Sequence, residues 1–223
     1  MIELAALDMA GTTIDEHGDV YEALREAVAE AGGRPDEATV QRWMGTDKRA
    51  AIAALVAAGG PTLGGPAVEA AYERFRTLLE ARYRATPPVP VPGVPEALAT
   101  LRRRGVKVAL TTGFSGDVVE PLLASLGWKV GGDLVDAVVC TDDVPAGRPA
   151  PYLVFRAMER TGVTAVDRVL VAGDTPADLR SGVNAGAALV VGVGTGAVGL
   201  ADLGRERHTH LLASLAELPS LLS

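Results

Sequence analysis

Cysteine is almost missing from this chain: Cys140 is the only one in 223 residues. A disulfide scaffold is thereby excluded, and a reducing compartment is expected. Net positive charge is missing too. The formal charge is −7 and the sequence pI about 5.0, which argues against nucleic acid as the main partner. No long apolar run is present. The longest, 185–201, carries five glycines and falls short of the roughly 20 residues of a membrane span. The first residues, Met1-Ile2-Glu3-Leu4, have an acid and no basic segment, unlike a secretory signal. Internal repeats and low-complexity tails are absent as well. A cytoplasmic protein with no membrane partner is the expectation.

What is present is a good supply of core material. Hydrophobic residues make up 48% and charged residues 22%, which excludes a disordered chain. A chain of this size buries about 70% of its surface on folding, so no disulfide or structural metal is needed to hold a core.

Five short runs read as buried strands: 2–7, 106–111, 134–139, 168–172 and 187–193. Their apolar residues are nearly continuous rather than alternating, as in strands covered on both faces. Helical periods lie between them at 95–104, 117–126, 151–161 and 176–185. Strand alternating with helix gives an α/β fold with a doubly wound, Rossmann-like parallel sheet, and ligands in such sheets bind beyond the carboxyl ends of the strands. Residues 16–92 break the rhythm with helix-like segments at 21–31, 36–43, 48–58 and 68–84 and no strand candidate between them. The proline-rich stretch 87–95 is a stiff, extended return. The expected organisation is a catalytic core of residues 1–16 and 90–223 with a helical cap, 17–89, inserted after the first strand.

Each strand end offers chemistry. The first leaves its run as Asp8-Met9-Ala10-Gly11-Thr12-Thr13, and the second as Thr111-Thr112-Gly113. After the third comes Val144-Pro145-Ala146-Gly147-Arg148-Pro149, and the fourth ends Gly173-Asp174-Thr175-Pro176-Ala177-Asp178. Neighbouring carboxylates suit Mg²⁺, a hard cation that keeps waters for a phosphate. Hydroxyls, backbone N–H groups and an arginine suit phosphate oxygens, and a carboxylate nucleophile beside Mg²⁺ is a standard acceptor of a phosphoryl group. Taken singly, Asp8 reads as a turn former, Arg148 as a solvated charge, and Thr175 with Asp178 as a capping box. Their order at successive strand ends is what points to a site.

With these four motifs in order, the sequence resembles the haloacid dehalogenase superfamily of phosphohydrolases over essentially the whole chain. The resemblance implies that Asp8 is the nucleophile, that Thr112 binds phosphate, and that Arg148 neutralises charge on Asp8 and the phosphoryl group. It implies Mg²⁺ held by Asp8, Asp174 and the backbone carbonyl of Ala10, with Asp178 supporting. Gly11, Thr12 and Gly113 would line the substrate site. Phosphatases of the superfamily carry a second Asp where this chain has Ala10, and an alanine cannot protonate a leaving alkoxide, a contribution typically of about 10²–10⁴-fold. The phosphonoacetaldehyde hydrolase (phosphonatase) branch is similar here. There a cap lysine forms a Schiff base with the aldehyde, and the leaving group is an enamine that needs no acid.

The chain has three lysines among its 21 Lys and Arg residues, and only Lys48 falls within the cap. It lies in Met44-Gly45-Thr46-Asp47-Lys48, similar to that branch's MGxxK segment, which also brings Met44 toward the substrate. An amine attacks a carbonyl only when partly deprotonated, by desolvation or a cationic neighbour, and Arg49 is the adjacent candidate. Residues 144–149 (VPAGRP) also match the branch. Departures are Phe114 for Tyr, Met9 for Trp, and Ala51 where the branch carries a His one turn beyond the lysine. The lost His removes a proton shuttle, and His17 at the first hinge is the sequence's substitute. The resemblance therefore implies a Mg²⁺-dependent hydrolase of phosphonoacetaldehyde or a related 2-oxoalkylphosphonate, with dimerisation through the cap. The alternative is a phosphatase or phosphomutase acting on a small phosphate ester.

Four further signals carry less. Residues 192–196 (GVGTG) follow the last expected strand, with no following unit of a dinucleotide fold, and read as a flexible loop beside the site. His208 and His210 read as surface residues, and Cys140 as a small buried residue ending a strand. Trp43, Met44 and Tyr72 read as cap core or as a cap–cap surface.

Overall fold

The computed structural model describes residues 1–222. The chain opens with strand β1 (Leu4–Asp8), a short β2 (Ile14–Asp15), and four helices: α1 (Asp19–Glu30), α2 (Glu37–Arg42), α3 (Lys48–Ala57) and α4 (Gly65–Ala85). It returns through β3 (Val89–Pro90) and continues with α5 (Val94–Arg103), β4 (Lys107–Thr111), α6 (Gly116–Ser125) and β5 (Ala137–Val139). Then follow α7 (Tyr152–Thr161), β6 (Val169–Gly173), α8 (Pro176–Ala185), β7 (Leu189–Val193), α9 (Leu200–Leu203), β8 (His210–Leu212) and α10 (Leu218–Leu221).

Six strands form one sheet in the order β5-β4-β1-β6-β7-β8, with every pairing parallel. β1 and β6 are buried at all five of their positions, as their unbroken apolar runs require when helices cover both faces. The helices pack by amphipathic stripes; α7, for example, buries Leu153, Val154, Ala157 and Met158 and leaves the rest partly or fully exposed. Each such fully buried Leu or Met contributes about 1.5–3 kcal/mol. The register pairs Asp8 with Thr111 and Leu7 with Ala172, so β1, β4 and β6 end level. The chain builds outward from β1 to β4 and β5, then crosses to β6 on the other side of β1. The strand order thus reverses at β1, and the crevice beyond its carboxyl end is where such a sheet accepts a ligand.

The segment between β2 and β3 is entirely helical apart from its loops, with α4 packed along α1 and α3. β2 and β3 pair antiparallel, Ile14 with Pro90 and Asp15 with Val89, so a two-stranded ribbon closes the neck of the helical segment. The sequence reading places no strand between 16 and 92; β3 corrects it. A two-residue strand carries no periodicity to read. The sixth strand, β8, was also not anticipated. Its three partly buried residues sit on the sheet edge, and their His-Leu-Leu sequence lacks a buried run. One hydrophobic cluster runs from the sheet (Leu7, Leu110, Leu170) into the helices (Leu24, Ile52, Phe75), so the helical segment is packed down on the strand ends. Tyr72 and Met44 belong to this cluster, which settles Tyr72 as core rather than outer surface. Among the described residues no helix is long and apolar enough to cross a membrane.

Candidate active site

At the carboxyl end of β1 the chain turns sharply: the carbonyl of Met9 accepts N–H groups from Thr12, Thr13 and Ile14. That turn holds Asp8 at the strand end, 6% exposed. Arg148 reaches it from the loop before α7. Its Nη1 donates to Asp8 Oδ1 at 2.5 Å, and its Nη2 donates to the carbonyl and hydroxyl of Thr111 at 2.9 and 2.7 Å. Arg148 is as buried as Asp8, so the solvated-charge reading of that residue is overturned.

Asp174 and Asp178 arrive from the β6–α8 junction, both 1% exposed. Asp174 Oδ1 accepts the Thr12 hydroxyl at 2.9 Å, so the Thr12 side chain orients an acid. Asp178 Oδ2 accepts Thr175 N–H at 3.1 Å and its hydroxyl at 2.5 Å, which is the reciprocal capping box read from the sequence. The other oxygen, Oδ1, accepts no hydrogen bond but lies 2.7 Å from Arg148 Nη1, a Coulombic contact without hydrogen-bond alignment. One oxygen of Asp178 caps α8 while the other lies toward Arg148.

Oxygens of Asp8, Asp174 and Asp178 lie within 4.8 Å of one another. Arg148 contacts two of these three buried carboxyls, Asp8 and Asp178, and the arrangement is short of positive charge. Burial, then the charges of Asp8 and Asp178, push the Asp174 carboxyl well above the usual range, against the pull of the Thr12 hydrogen bond. Burial also pushes Asp178 up to about 7, with Arg148 opposing. Hard oxygen donors, a charge deficit and the orphaned oxygen of Asp178 fit a divalent cation such as Mg²⁺.

Part of the helical segment rests against these turns. Gly45 stands at φ +73°, and a Cβ there would meet Thr175 Oγ1 at 2.2 Å; only glycine lets this loop rest on the start of α8. A Cβ on Gly113 would meet the Thr46 carbonyl oxygen at 2.4 Å, so the TTG turn after β4 is pressed against the same loop. Asp47 caps α3 through Ala50 N–H at 2.8 Å and accepts the Thr141 hydroxyl at 3.2 Å, tying that helix to the core.

Lys48 begins α3 and is 4% exposed. Its Nζ donates to the Thr46 carbonyl at 3.0 Å and sits 5.3 Å from the centre of the Phe114 ring. Burial pulls its ammonium down to about 8, aided by Arg148 and opposed by Asp8, Asp47 and Glu16. The sequence pointed to Arg49 as the cationic helper. The structure assigns that part to Arg148, because Arg49 turns away to stack 3.7 Å from the Tyr72 ring and to fork onto Glu69 at 2.8 and 2.7 Å.

Other anticipated residues are placed as follows. Thr112 is buried at the exit of β4, where its hydroxyl accepts Phe114 N–H at 3.1 Å and shapes the turn. Gly11, at φ +83°, lies against Asp174, and Ala10 bridges to Ile14 beside it. Met44 is packed in the hydrophobic cluster. The 192–196 loop lies over the site: Thr195 donates to the Gly11 carbonyl at 2.6 Å, and Gly196 abuts Asp174. His17 does not reach the amine. Its ring pairs with Asp15 at 3.5 Å and lies 3.4 Å from the Pro87 carbonyl. His208 and His210 settle on the Glu206 carbonyl and the Thr209 hydroxyl, at 2.8 and 3.0 Å.

Three contributors went unread in the sequence. Thr111, not Thr112, holds Arg148; two adjacent hydroxyls on a strand point to opposite faces, and their order alone does not say which is used. Glu16 is buried at the neck, and in DEHGD it looks like one more solvated acid. Tyr21 on α1 faces the acid cluster. Burial, then Asp174, Asp8, Asp178 and Glu16, push its phenol far up, so it stays a neutral donor.

Comparison with known proteins bears on this geometry. The family model described as haloacid dehalogenase-like hydrolase matches residues 2–186. Among curated relatives, the phosphonoacetaldehyde hydrolase of Parabacteroides distasonis is 43% identical over 96 residues, covering 43% of this chain and 36% of that protein. The one from Bacillus thuringiensis is 36% identical over 142 residues, covering 60% of this chain and 50% of that protein. The chain thus spans half or less of the length of these relatives. Among solved structures, a hydrolase from Pseudomonas syringae superposes with a TM-score of 0.86 at 21% identity, covering 100% of this chain and 98% of that one. A phosphonoacetaldehyde hydrolase-like protein from Oleispira antarctica gives 0.79 at 22%, covering 99% and 91%. At these identities the structures speak to the fold alone. Together with the level strand ends and their acid cluster, the family match identifies the chain as a haloacid dehalogenase-like hydrolase.

Proposed function

We propose that this hydrolase cleaves the C–P bond of phosphonoacetaldehyde or a related 2-oxoalkylphosphonate, with residues 17–89 acting as a lid over the strand ends. The observation that carries this reading is Lys48. At pH 7.5 an ammonium at about 8 is roughly a quarter deprotonated, whereas one at 10.5 is about 0.1% deprotonated, a gain of about 250-fold in nucleophile. A buried, partly neutral amine facing Asp8 and Arg148 is placed to condense with an aldehyde whose phosphonyl group lies on the core side. The iminium then takes up the electron pair of the breaking C–P bond while Asp8 receives the phosphoryl group, and water later frees phosphate. Ala10 supplies no acid at the leaving group, and an enamine needs none.

Asp8, Asp174 and the Ala10 carbonyl would hold Mg²⁺, with Asp178 supporting; the ion would offset charge on the nucleophile and the phosphoryl oxygens. Arg148 orients Asp8, and the lid excludes water from the iminium. The relatives named phosphonoacetaldehyde hydrolase support this reading, as does the MGTDK loop seated on the TTG and GDT turns.

The test is release of phosphate and aldehyde from phosphonoacetaldehyde with Mg²⁺, for wild type and Lys48→Arg. Turnover by wild type and loss in the variant is the expected result. Equal turnover by both, or turnover only of sugar phosphates or phosphoglycolate, would refute it.

A further inference from the structure

Serine at the start of a helix ordinarily turns its hydroxyl onto the helix's first free N–H groups. Ser115 stands before α6 in the extended backbone that such a cap needs, φ −82° and ψ 162°, yet its side chain caps nothing there. Asp142 meets the first N–H instead, accepting from Gly116 at 3.1 Å. The Ser115 hydroxyl is engaged elsewhere. It donates to Asp117 Oδ1, and its oxygen lies 2.5 Å from the Tyr72 hydroxyl on α4. A carboxylate only accepts, so Ser115 gives its proton to the Asp117 bond and accepts that of Tyr72. Asp117 Oδ2 pairs with Arg76 Nε, also on α4, at 2.9 Å. Tyr72 and Arg76 are four residues apart and share a helix face, so two side chains of α4 and two at the start of α6 close a ring.

The ring has a dry end and a wet end. Tyr72 and Ser115 are buried, Asp117 is exposed and Arg76 half-buried. A solvated ion pair contributes little, so the weight falls on the buried hydroxyl pair, which the carboxylate behind it polarises. Arg49 stacks on the Tyr72 ring and forks onto Glu69, which fixes the direction of the phenol. Beyond the ring, α4 and α6 border a cavity of about 490 Å³ lined by Leu79, Tyr83, Val118 and Leu122, where no apolar seam replaces the tie. On its other side Ser115 continues the turn that carries Gly113, pressed against the Thr46 carbonyl, and Phe114, 5.3 Å from Lys48 Nζ. α4 in turn packs against α3, on which Lys48 stands.

We propose that Ser115 is a positioning residue: with Tyr72, Asp117 and Arg76 it forms a latch that holds α4, and through it the Lys48 segment, seated on the turn after β4. The assignment rests on residues 17–89 acting as a lid. It explains why a serine placed to cap α6 leaves that helix to Asp142. Substrate that binds only the seated state makes up for a weakened latch at saturation, so KM carries the loss and kcat does not.

Labelling by trinitrobenzenesulfonate, located by mass, tests the latch without any substrate. The reagent is too bulky to reach buried Lys48 in the seated state, so its rate at Lys48 relative to exposed Lys129 reports the open fraction. Ser115→Ala should raise that ratio at least fivefold, and Ser115→Thr, which keeps the hydroxyl, should stay near wild type. Tyr72→Phe should match Ser115→Ala, the double variant should go no further than either single one, and Tyr72→Phe carries the comparison if S115A melts early. With phosphonoacetaldehyde, turnover lost in S115A should appear in KM, with kcat within twofold of wild type. An unchanged Lys48 ratio in both single variants, or a loss confined to kcat, would overturn the latch. A raised ratio in S115A with phosphonoacetaldehyde left intact by wild type would support the latch and remove the substrate reading alone.

Discussion

Replacing Arg148 by Met removes the only guanidinium that, among the described residues, contacts Asp8 and Asp178, while leaving an apolar stem of similar reach. Both carboxylates are essentially out of water, and Arg148 Nη1 meets them at 2.5 and 2.7 Å. Breaking a buried pair by deleting one partner costs about 3–5 kcal/mol, because the remaining charge is left uncompensated. For a chain of this length each kcal/mol moves the melting temperature by about 2–4 °C, so a fall of about 6–20 °C is expected in metal-free buffer. A second charge source should recover part of it. If the three carboxylates bind Mg²⁺, then Mg²⁺ at 100 times its dissociation constant returns about 2.7 kcal/mol. The variant should gain more than wild type, because its site lacks the competing guanidinium. Thermal unfolding of both proteins, with chelator and with a Mg²⁺ series, reads both effects. A fall under about 3 °C would show that the carboxyls are not charged and paired as the geometry implies. Equal Mg²⁺ increments in the two proteins would refute the shared cation site.

Two smaller perturbations probe the lid. Gly45→Ala forces an L side chain into a left-handed conformation, at about 1–2 kcal/mol, and against Thr175 Oγ1 at 2.2 Å; kcat/KM should fall at least tenfold with a melting temperature only a few degrees lower, as steady-state kinetics and thermal unfolding would check. Tyr72→Phe keeps the stack on Arg49 and deletes one hydroxyl, 2.5 Å from Ser115 Oγ. Losing about 1 kcal/mol of closure should lower kcat/KM about fivefold, measurable by the same kinetics.

The interior strands were legible because burial on both faces leaves an unbroken apolar run, as in LAALD and VLVAG. The order of acids, hydroxyls and Arg148 at their ends was legible because parallel strands bring successive carboxyl ends to one edge. What escaped depends on facts that a one-dimensional pattern does not carry. β2 and β3 are two residues each and show no period; they exist because the chain leaves and re-enters the core side by side. Thr111 and Thr112 are equivalent in sequence, and the pleat decides which meets Arg148. Glu16 stands among Asp15, His17 and Asp19, a stretch that reads as solvated, yet the fold buries it. Arg49 looked like the neighbour of Lys48 because it is adjacent in the chain, yet on a helix adjacent side chains diverge by about 100°, and Arg49 went to Tyr72.

The contacts of the MGTDK loop also bear on how the lysine would be controlled. The Thr46 carbonyl that receives Lys48 Nζ is the same oxygen that rests where a side chain on Gly113 would be, and the Gly45 carbonyl lies 3.4 Å from Arg148 Nη1. Amine, TTG turn and arginine therefore all meet two consecutive residues of one loop, Gly45 and Thr46. Burial is the largest cause of the lowered Lys48 ammonium, and Lys48 is 4% exposed with this loop seated on the core. Lifting the lid would rehydrate the amine and return it toward 10.5, about 250-fold less neutral amine at pH 7.5. On the proposed reading, an aldehyde without a group to fill the core side, and so without a reason to hold the loop down, meets a protonated lysine. Discrimination against simple aldehydes would then come from the same seating that makes the lysine reactive.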